Sequence, residues 1–224
     1  MHLEMYNVTV ANWPDDIRLS WDKHPKLTHL YLVRVRNITQ LPDALLTFQF
    51  PIIHFTLCDS DLETLPNDLP KYWQLPFEYI IIEQSNLTSI PPSFGELHIA
   101  RLSLSVNPGI TSLPPRIFDQ HQFISLSLSA NPMLRDFPIN SVSDWTTQEF
   151  YLWHTNISHL PAWVLSGAAQ QRMTIFAAGS PLCVDRSLTY LGDTSSVLDC
   201  LSDRYDPDAY RWVRLKRVAL TRDD

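Results

Sequence analysis

The residues that could carry out chemistry in this chain are its histidines, its serines and one group of acidic residues. The eight histidines lack the helical spacing of a zinc site, and no Cys-x-x-Cys pair, nucleophile elbow or phosphate-binding glycine loop occurs. The regularly spaced serines are Ser103, Ser105, Ser125, Ser127 and Ser129. No histidine stands beside them to act as a base, so their hydroxyls remain poor nucleophiles. Asp59, Asp61 and Glu63 offer too few oxygens for a Ca²⁺ site, and we therefore expect no enzyme, no metal site and no cofactor.

Four asparagines stand in the N-x-Ser/Thr triplet that accepts N-linked glycan. They are Asn7, Asn37, Asn86 and Asn156. The last three fall just before the third apolar residue of a recurring segment, at an outward-facing loop position where a glycan is tolerated. A segment that itself favours Asn followed by Ser or Thr would also produce these triplets. We interpret them as glycosylation sites, which favours a secreted or surface protein.

Charge and composition exclude several classes of protein. The 17 Lys and Arg against 24 Asp and Glu give a net charge of −7, which argues against a nucleic-acid partner because phosphates require a basic face. The chain is 45% hydrophobic, which is enough for one continuous core. Its longest apolar runs, such as 79–82, are too short to span a membrane. The N-terminus lacks a signal-peptide pattern, so the chain is either cytosolic or a piece of a longer secreted or membrane-attached protein.

A segment of about 24 residues recurs along most of the chain. Each copy ends in an apolar residue followed by proline, at Trp13-Pro14, Leu41-Pro42, Leu65-Pro66, Ile90-Pro91, Leu113-Pro114, Phe137-Pro138 and Leu160-Pro161. Upstream stands an apolar-x-apolar pair, at Leu3/Met5, Leu30/Leu32, Phe55/Leu57, Ile80/Ile82, Leu102/Leu104, Leu126/Leu128 and Phe150/Leu152. This period of two predicts a short strand with one buried side. Because no single copy can bury that side alone, the copies must stack on one another.

The stretches LSLSVNPGITSLPPRIF and LSLSANPMLRDFP follow the pattern L-x-x-L-x-L-x-x-N-x-L, with x-x-L-P after it. The chain is therefore similar to leucine-rich-repeat proteins over residues 3–183, with a degenerate eighth copy near Ile175. The resemblance implies an α/β solenoid of seven to eight repeats, with a curved parallel β-sheet on its concave face and irregular or short helical segments on its convex face. It also implies a polar ladder in the turns, here Ser60, Ser85, Asn107, Asn131, Thr155 and Ser180, from which Val8 and Val35 depart.

The two ends of the chain differ from the repeats. GSPLC at 179–183, followed by Cys200, resembles the cysteine-bearing C-terminal caps of extracellular leucine-rich-repeat proteins, which implies a Cys183–Cys200 disulfide. Two buried thiols in a cytosolic cap are the alternative. With its Leu-Pro repeats the chain is also similar to surface leucine-rich-repeat proteins of oomycetes.

We divide the chain into repeats at 1–182, a cap at 183–204 and a basic tail or linker at 205–224. The tail is a capping helix, a juxtamembrane basic stretch or a linker. Because no N-terminal cap precedes the first repeat, we interpret the chain as a fragment.

The concave face carries the candidate binding residues, since residues between and after the paired apolar positions point away from the core. Large aromatic residues there flank a centre of serines, and Tyr and Trp anchor interfaces because they bury much area at low entropic cost. The predicted ligand-binding residues are Tyr31, Tyr151, Trp153, His154 and Phe176. Alternatively, Trp153 and Phe176 cover the C-terminal cap. Cys58 is expected to lie exposed on the same face.

These features lead to three hypotheses of function. The first is a non-enzymatic recognition module that binds a protein or peptide, as the extracellular or membrane-attached ectodomain of a receptor-like or surface protein. The second is a cytoplasmic scaffold or adaptor in signalling that uses the same concave face. The third is a regulatory repeat region of a larger enzyme. The leucine-rich-repeat resemblance implies binding without identifying a ligand.

Overall fold

The computed structural model of the protein describes residues 2–9, 26–46, 52–118, 123–138, 145, 147–165, 173–184 and 198–201. The tail assigned to 205–224 and the first apolar–proline dipeptide at 13–14 lie outside these residues. The strands of the described chain form one parallel sheet, in which each strand pairs with the next along the chain. They are β1 (His2–Thr9), β2 (His29–Arg36), β3 (His54–Cys58), β4 (Phe77–Glu83), β5 (Ile99–Ser103), β6 (Phe123–Ser127), β7 (Thr147–Tyr151), β8 (Thr174–Phe176) and β9 (Leu198–Asp199). The predicted parallel sheet is confirmed.

The register of the sheet places one apolar residue of every strand in a single column. That column runs through Leu3, Leu30, Phe55, Ile80, Leu102, Leu126, Phe150, Ile175 and Leu198. The apolar pairs found in the sequence are therefore aligned across the sheet, and from β2 to β8 their side chains are buried. Strand β9, with Leu198 half-buried, extends the sheet by one strand that the repeat pattern did not predict.

The core lies on one side of this sheet, in layers that pass from strand to strand. Trp73 illustrates the packing, because its ring lies 5.0 Å from that of Phe55 and 5.1 Å from that of Phe77. Short helices follow some of the strands: α1 (Asp43–Leu46), α2 (Leu69–Tyr72) and 3₁₀ turns at Pro92–Glu96, Pro115–Phe118 and Pro181–Cys183. Each begins at or next to a proline, whose fixed φ suits the first turn and whose missing N–H is not needed there.

Small polar side chains close the turns that follow β3 to β8. Asn107 Nδ2 donates to the carbonyl oxygens of Ile82 and Leu104, at 2.8 and 2.9 Å. Asn131 Nδ2 donates to those of Leu104 and Leu128, at 3.0 and 2.7 Å. Asn131 Oδ1 also accepts from the Asn107 backbone N–H at 2.8 Å. Buried backbone groups thereby gain partners, and the predicted hydrogen-bonded ladder is confirmed.

The same turns place a residue in the left-handed region, two positions after each apolar pair. These residues are Asn7, Arg34, Asp59, Gln84, Val106, Ala130, His154 and Gly179, with φ between 51° and 74°. Only the last is glycine, which takes this conformation without strain. Backbone hydrogen bonds to the next turn hold several of these residues in place: Val106 N–H donates to Ser129 O at 2.9 Å, and Ala130 N–H to Trp153 O at 2.7 Å. The neighbouring turn therefore imposes a conformation that the local sequence disfavours.

Candidate functional site

Three rings meet where β7 lies beside β8, on the outer face of the sheet, by which we mean the side opposite the apolar core. Tyr151 stacks on Phe176, with ring centroids 4.7 Å apart and planes inclined by 9°. Trp153 packs against both, at 5.1 and 5.7 Å. Tyr151 and Phe176 are half-buried, and Trp153 is only 8% exposed. The structure thus brings together three predicted ligand-binding residues, which we name the aromatic cluster.

The polar groups of the aromatic cluster are hydrogen-bond donors. Burial raises the pKa of Tyr151 well above its usual range, and the charge and hydrogen bond of Glu149 raise it further. The phenol therefore stays protonated at physiological pH. Trp153 Nε1 is buried and has no acceptor among the described residues. The cluster therefore presents the partly exposed rings of Tyr151 and Phe176, while the Trp153 donor is buried.

Trp153 is less exposed than the sequence led us to expect, and so is its column on the outer face from β2 onwards, although Tyr6 on β1 is 39% exposed. Its counterparts are Val33, Cys58, Glu83, Ser105, Ser129 and Ala178, all of them buried. The expectation of an exposed Cys58 thiol is wrong, because Cys58 is 0% exposed and its Sγ lies 3.7 Å from Gln84 Oε1. Strands lie about 4.8 Å apart, so neighbouring side chains flank each of these residues. A period of two predicts the direction of a side chain but not its exposure.

The serines at the centre of the outer face form a buried hydrogen-bonded chain with Glu83. Ser103 Oγ donates to Glu83 Oε1 at 2.5 Å. The hydroxyls of Ser103 and Ser105 are 3.1 Å apart, and those of Ser105 and Ser127 are 2.7 Å apart. Because buried polar groups need partners, these side chains satisfy one another across β4, β5 and β6. The contacts account for Ser103, Ser105, Ser127 and Ser129 as hydrogen-bonding residues of the sheet. Ser125 Oγ is buried without a partner among the described residues.

His154, the fourth predicted ligand-binding residue, is exposed in the turn after β7 and borders a surface cavity. The cavity has a volume of about 710 Å³, and His154, Asn156, Gly179 and Pro181 are among the residues that line it. The His154 ring packs directly over Gly179, since a Cβ placed on that glycine would lie 2.4 Å from His154 Nδ1. Glycine is therefore required here for space as well as for its φ of 74°.

Tyr31 is not part of the aromatic cluster. It lies on β2, five strand spacings from β7, or about 24 Å across the sheet. Its neighbours are rings in one column of the first four strands, which we name the histidine column: His2, His29, His54 and Tyr79. Successive ring centroids in that column are 4.3, 5.4 and 4.7 Å apart. The spacing of these histidines along the chain does not reveal the alignment, because it exists only across strands.

Two histidines of this column, His29 and His54, have pKa values lowered towards the neutral form. Burial, followed by the charges of His29 and His2, lowers the pKa of His54 to about 4. Burial also lowers the pKa of His29, with His2 acting in the same direction and Glu78 opposing it. His54 Nε2 lies 3.0 Å from Thr56 Oγ1. His54 is therefore uncharged near neutral pH.

Asp59 and Asp61, which we considered for Ca²⁺ from the sequence, are engaged by arginines. Arg36 reaches Asp59 at 2.8 Å and Asp61 at 3.5 Å, and Arg34 reaches Asp59 at 3.5 Å. Asp61 also accepts a hydrogen bond from the Asn37 backbone N–H at 2.7 Å. Within the ranges that the structure describes, no group of three or more His, Cys, Asp or Glu side chains is arranged to hold a metal ion.

The predicted modification sites and the disulfide lie at the surface and at the C-terminal end. The four candidate glycan acceptors, Asn7, Asn37, Asn86 and Asn156, are all exposed. Cys183 and Cys200 form the disulfide that the cap resemblance implied, and this prediction is confirmed. The bond joins the 3₁₀ turn at Pro181–Cys183 to the end of β9. Across the described part of the chain, no helix is long and apolar enough to cross a membrane.

No protein-family model matches the chain. No curated protein matches it at a significant level either. Its function therefore has to follow from the contacts of the described residues, foremost the aromatic cluster and the cavity beside it.

Proposed function

We propose that the chain is a leucine-rich-repeat solenoid that recognises a protein or peptide ligand and catalyses no reaction. The proposal is supported by the parallel sheet, by the aligned apolar pairs and by the asparagine ladder between turns. All three are expected of repeats that each pack on their neighbours. On this proposal the outer face of the sheet is the concave face, and the short helices lie on the convex side.

The aromatic cluster is the observation that carries this proposal. Tyr151 and Phe176 keep part of their ring surface exposed on strands that fix them, so a ligand gains contact area at little entropic cost. Trp153 packs against both rings and supports them. We infer that the ligand contacts Tyr151 and Phe176 together with the exposed His154.

Two observations support an extracellular or membrane-attached setting. Disulfides persist in oxidising compartments and are rare in the cytosol, and Cys183 is bonded to Cys200. The four glycan acceptors are exposed. The free thiol of Cys58 is compatible with this setting, because it is buried and a buried thiol is inert. The ectodomain of a receptor-like or surface protein fits these features.

Selection from a random peptide display library tests the proposed site. The chain is secreted from a eukaryotic host, peptides that bind it are selected, and the Kd of the best peptides is measured on variants. Tyr151→Ala and Phe176→Ala are each expected to weaken binding by at least about tenfold, because they remove ring surface at the centre of the contact. Tyr72→Ala is the matched control, since Tyr72 is exposed on α2.

Thermal melting of each variant separates a lost contact from a lost fold. The proposal fails if selected peptides bind Tyr151→Ala and Phe176→Ala as tightly as they bind the unaltered chain. Weakened binding by Tyr72→Ala alone would move the binding surface to the helical side of the sheet.

A further inference from the structure

Asn156 lies in the wall of the surface cavity beside the aromatic cluster. The cavity is also lined by Pro132, Pro181 and Val184. Its volume of about 710 Å³ falls within the range of about 300–1,000 Å³ that is typical of small-molecule sites. Asn156 is exposed, and its side-chain amide makes no hydrogen bond to a described residue. The amide nitrogen is therefore available at the edge of a cavity of ligand size.

The walls of this cavity are held in place by backbone hydrogen bonds and by packing. The Asn156 N–H donates to Leu134 O at 3.0 Å, and the Leu182 N–H donates to Ile157 O at 3.1 Å. The His154 ring is fixed over Gly179, where even a methyl group would not fit beneath it. A cavity that is formed in advance loses little conformational entropy when it is filled.

The chemistry of the lining suits one face of a sugar ring. Pro132, Pro181 and Val184 present C–H groups, and Val184 is 82% exposed, which leaves apolar surface uncovered. His154 adds an imidazole that can donate or accept a hydrogen bond. A pyranose has an apolar C–H face and a polar rim, so it can cover the apolar residues while its hydroxyls stay in water.

Resting on the secreted setting of the proposed function, we propose that Asn156 carries an N-linked glycan whose first N-acetylglucosamine lies in this cavity. Ser158 completes the acceptor triplet. The Asn156 amide nitrogen displaces the diphosphate of a lipid-linked oligosaccharide at C1 of the sugar and loses one proton to a base. An N-glycosidic bond forms, and the lipid diphosphate is released. The C–H face of the sugar packs against the prolines and Val184.

Two of the other acceptors have different surroundings. Asn7 Oδ1 accepts from Arg34 Nη1 at 3.4 Å. Asn37 stands beside Arg36, which is paired with Asp61. These surfaces are charged and exposed, and a sugar ring gains nothing by leaving water for them. We therefore expect glycans at these acceptors to extend into solvent, whereas the glycan of Asn156 is sheltered.

The rate of enzymatic deglycosylation of the folded chain measures how accessible each glycan is. The secreted chain is treated with peptide-N-glycosidase F without denaturant, and glycan loss at each asparagine is followed by peptide mass spectrometry. We expect release from Asn156 to be at least about tenfold slower than from Asn86, and the two rates to be equal after denaturation.

Val184→Asp, a change at an exposed wall residue, is expected to raise the rate at Asn156 and leave that at Asn86 unchanged. Ser158→Ala removes the glycan and identifies its peptide.

Equal native release rates at Asn156 and Asn86, or an unmodified Asn156, overturn the proposal. A slow rate at Asn156 that persists in Val184→Asp also overturns it, because the shelter would then come from outside the cavity. Glycan at Asn86 in any of these cases still supports the secreted setting. Absence of glycan from all four acceptors counts against that setting as well, so the two failures are distinguishable.

Discussion

The histidine column and the aromatic cluster both stack rings on the outer face of one sheet, yet they respond to acid in different ways. Burial lowers the pKa of His54 to about 4 and raises the pKa of Tyr151. The cause is the same, because burial disfavours the charged form of either group. An imidazole gains its charge on acidification, whereas a phenol never does. We therefore expect the histidine column to respond to acid, whereas the phenol of Tyr151 does not.

The disulfide is a second difference between the C-terminal end and the N-terminal end. Its removal is expected to lower the free energy of unfolding more than any other change considered below. Replacing Cys183 and Cys200 with Ser opens a link across 17 residues. We expect the free energy of unfolding to fall by about 3 kcal/mol, because the unfolded chain regains the entropy of that loop. Urea denaturation of the variant and of the reduced parent chain measures the loss. An unchanged midpoint in both would show that β9 and the cap contribute nothing to stability.

Acid is expected to weaken the N-terminal end. The folded-state pKa of His54, about 4, lies below its ordinary 6.5, so the folded chain binds fewer protons than the unfolded chain. The contribution of His54 is present above pH 6.5 and is lost as the pH falls through 4. We expect a loss of about 1–2 kcal/mol, after allowing for solvent screening of this half-exposed ring.

Urea unfolding at pH 7 and at pH 4, for the parent chain and His54→Gln, measures this loss. Glutamine keeps a polar side chain but does not titrate, so the variant is expected to lose less stability in acid. His159→Gln is the control, because His159 lies outside the column and is exposed. If His54→Gln loses as much stability as the parent chain, other groups cause the acid sensitivity.

The turn after β5 separates the two regions, and a change there has the smallest expected effect. Val106 has a φ of 60°, where a β-branched side chain is strained. Val106→Gly relieves that strain but adds entropy to the unfolded chain, so we expect a net stabilisation of under about 1 kcal/mol. Thermal melting detects it. A lower Tm would mean that the valine side chain contributes more by packing than its backbone loses by strain.

The sequence predicted contacts that repeat along the chain better than contacts that form across it. Leu102 and Leu104 show the period of two that burial on one side of a strand imposes, and the next copies repeat it. The strands and their register could therefore be predicted from the sequence. His29 and His54 stand 25 residues apart in the chain, and only the register brings their rings together. Strand β9 has two residues, which is too short to show any period.

Part of the candidate site was predicted for the same reason. Tyr151 and Phe176 occupy equivalent positions of successive copies, so their contact follows from the repeat. The burial of Trp153 did not follow, because it depends on the bulk of side chains in neighbouring strands. The cavity is formed by turns from several copies, and its depth depends on the absence of a side chain at Gly179, which no periodicity records.

The left-handed turns have one more consequence. Seven of these eight turn residues are not glycine. Apart from Asn7 and Asp59, whose residue types adopt it more readily, this conformation is unfavourable by about 1–2 kcal/mol in isolation. Contacts with the turns on either side offset this conformational cost. The stability of each turn therefore depends on its two nearest neighbours along the sheet. Because each turn contacts only its neighbours, folding can begin at any turn and spread to the turns beside it.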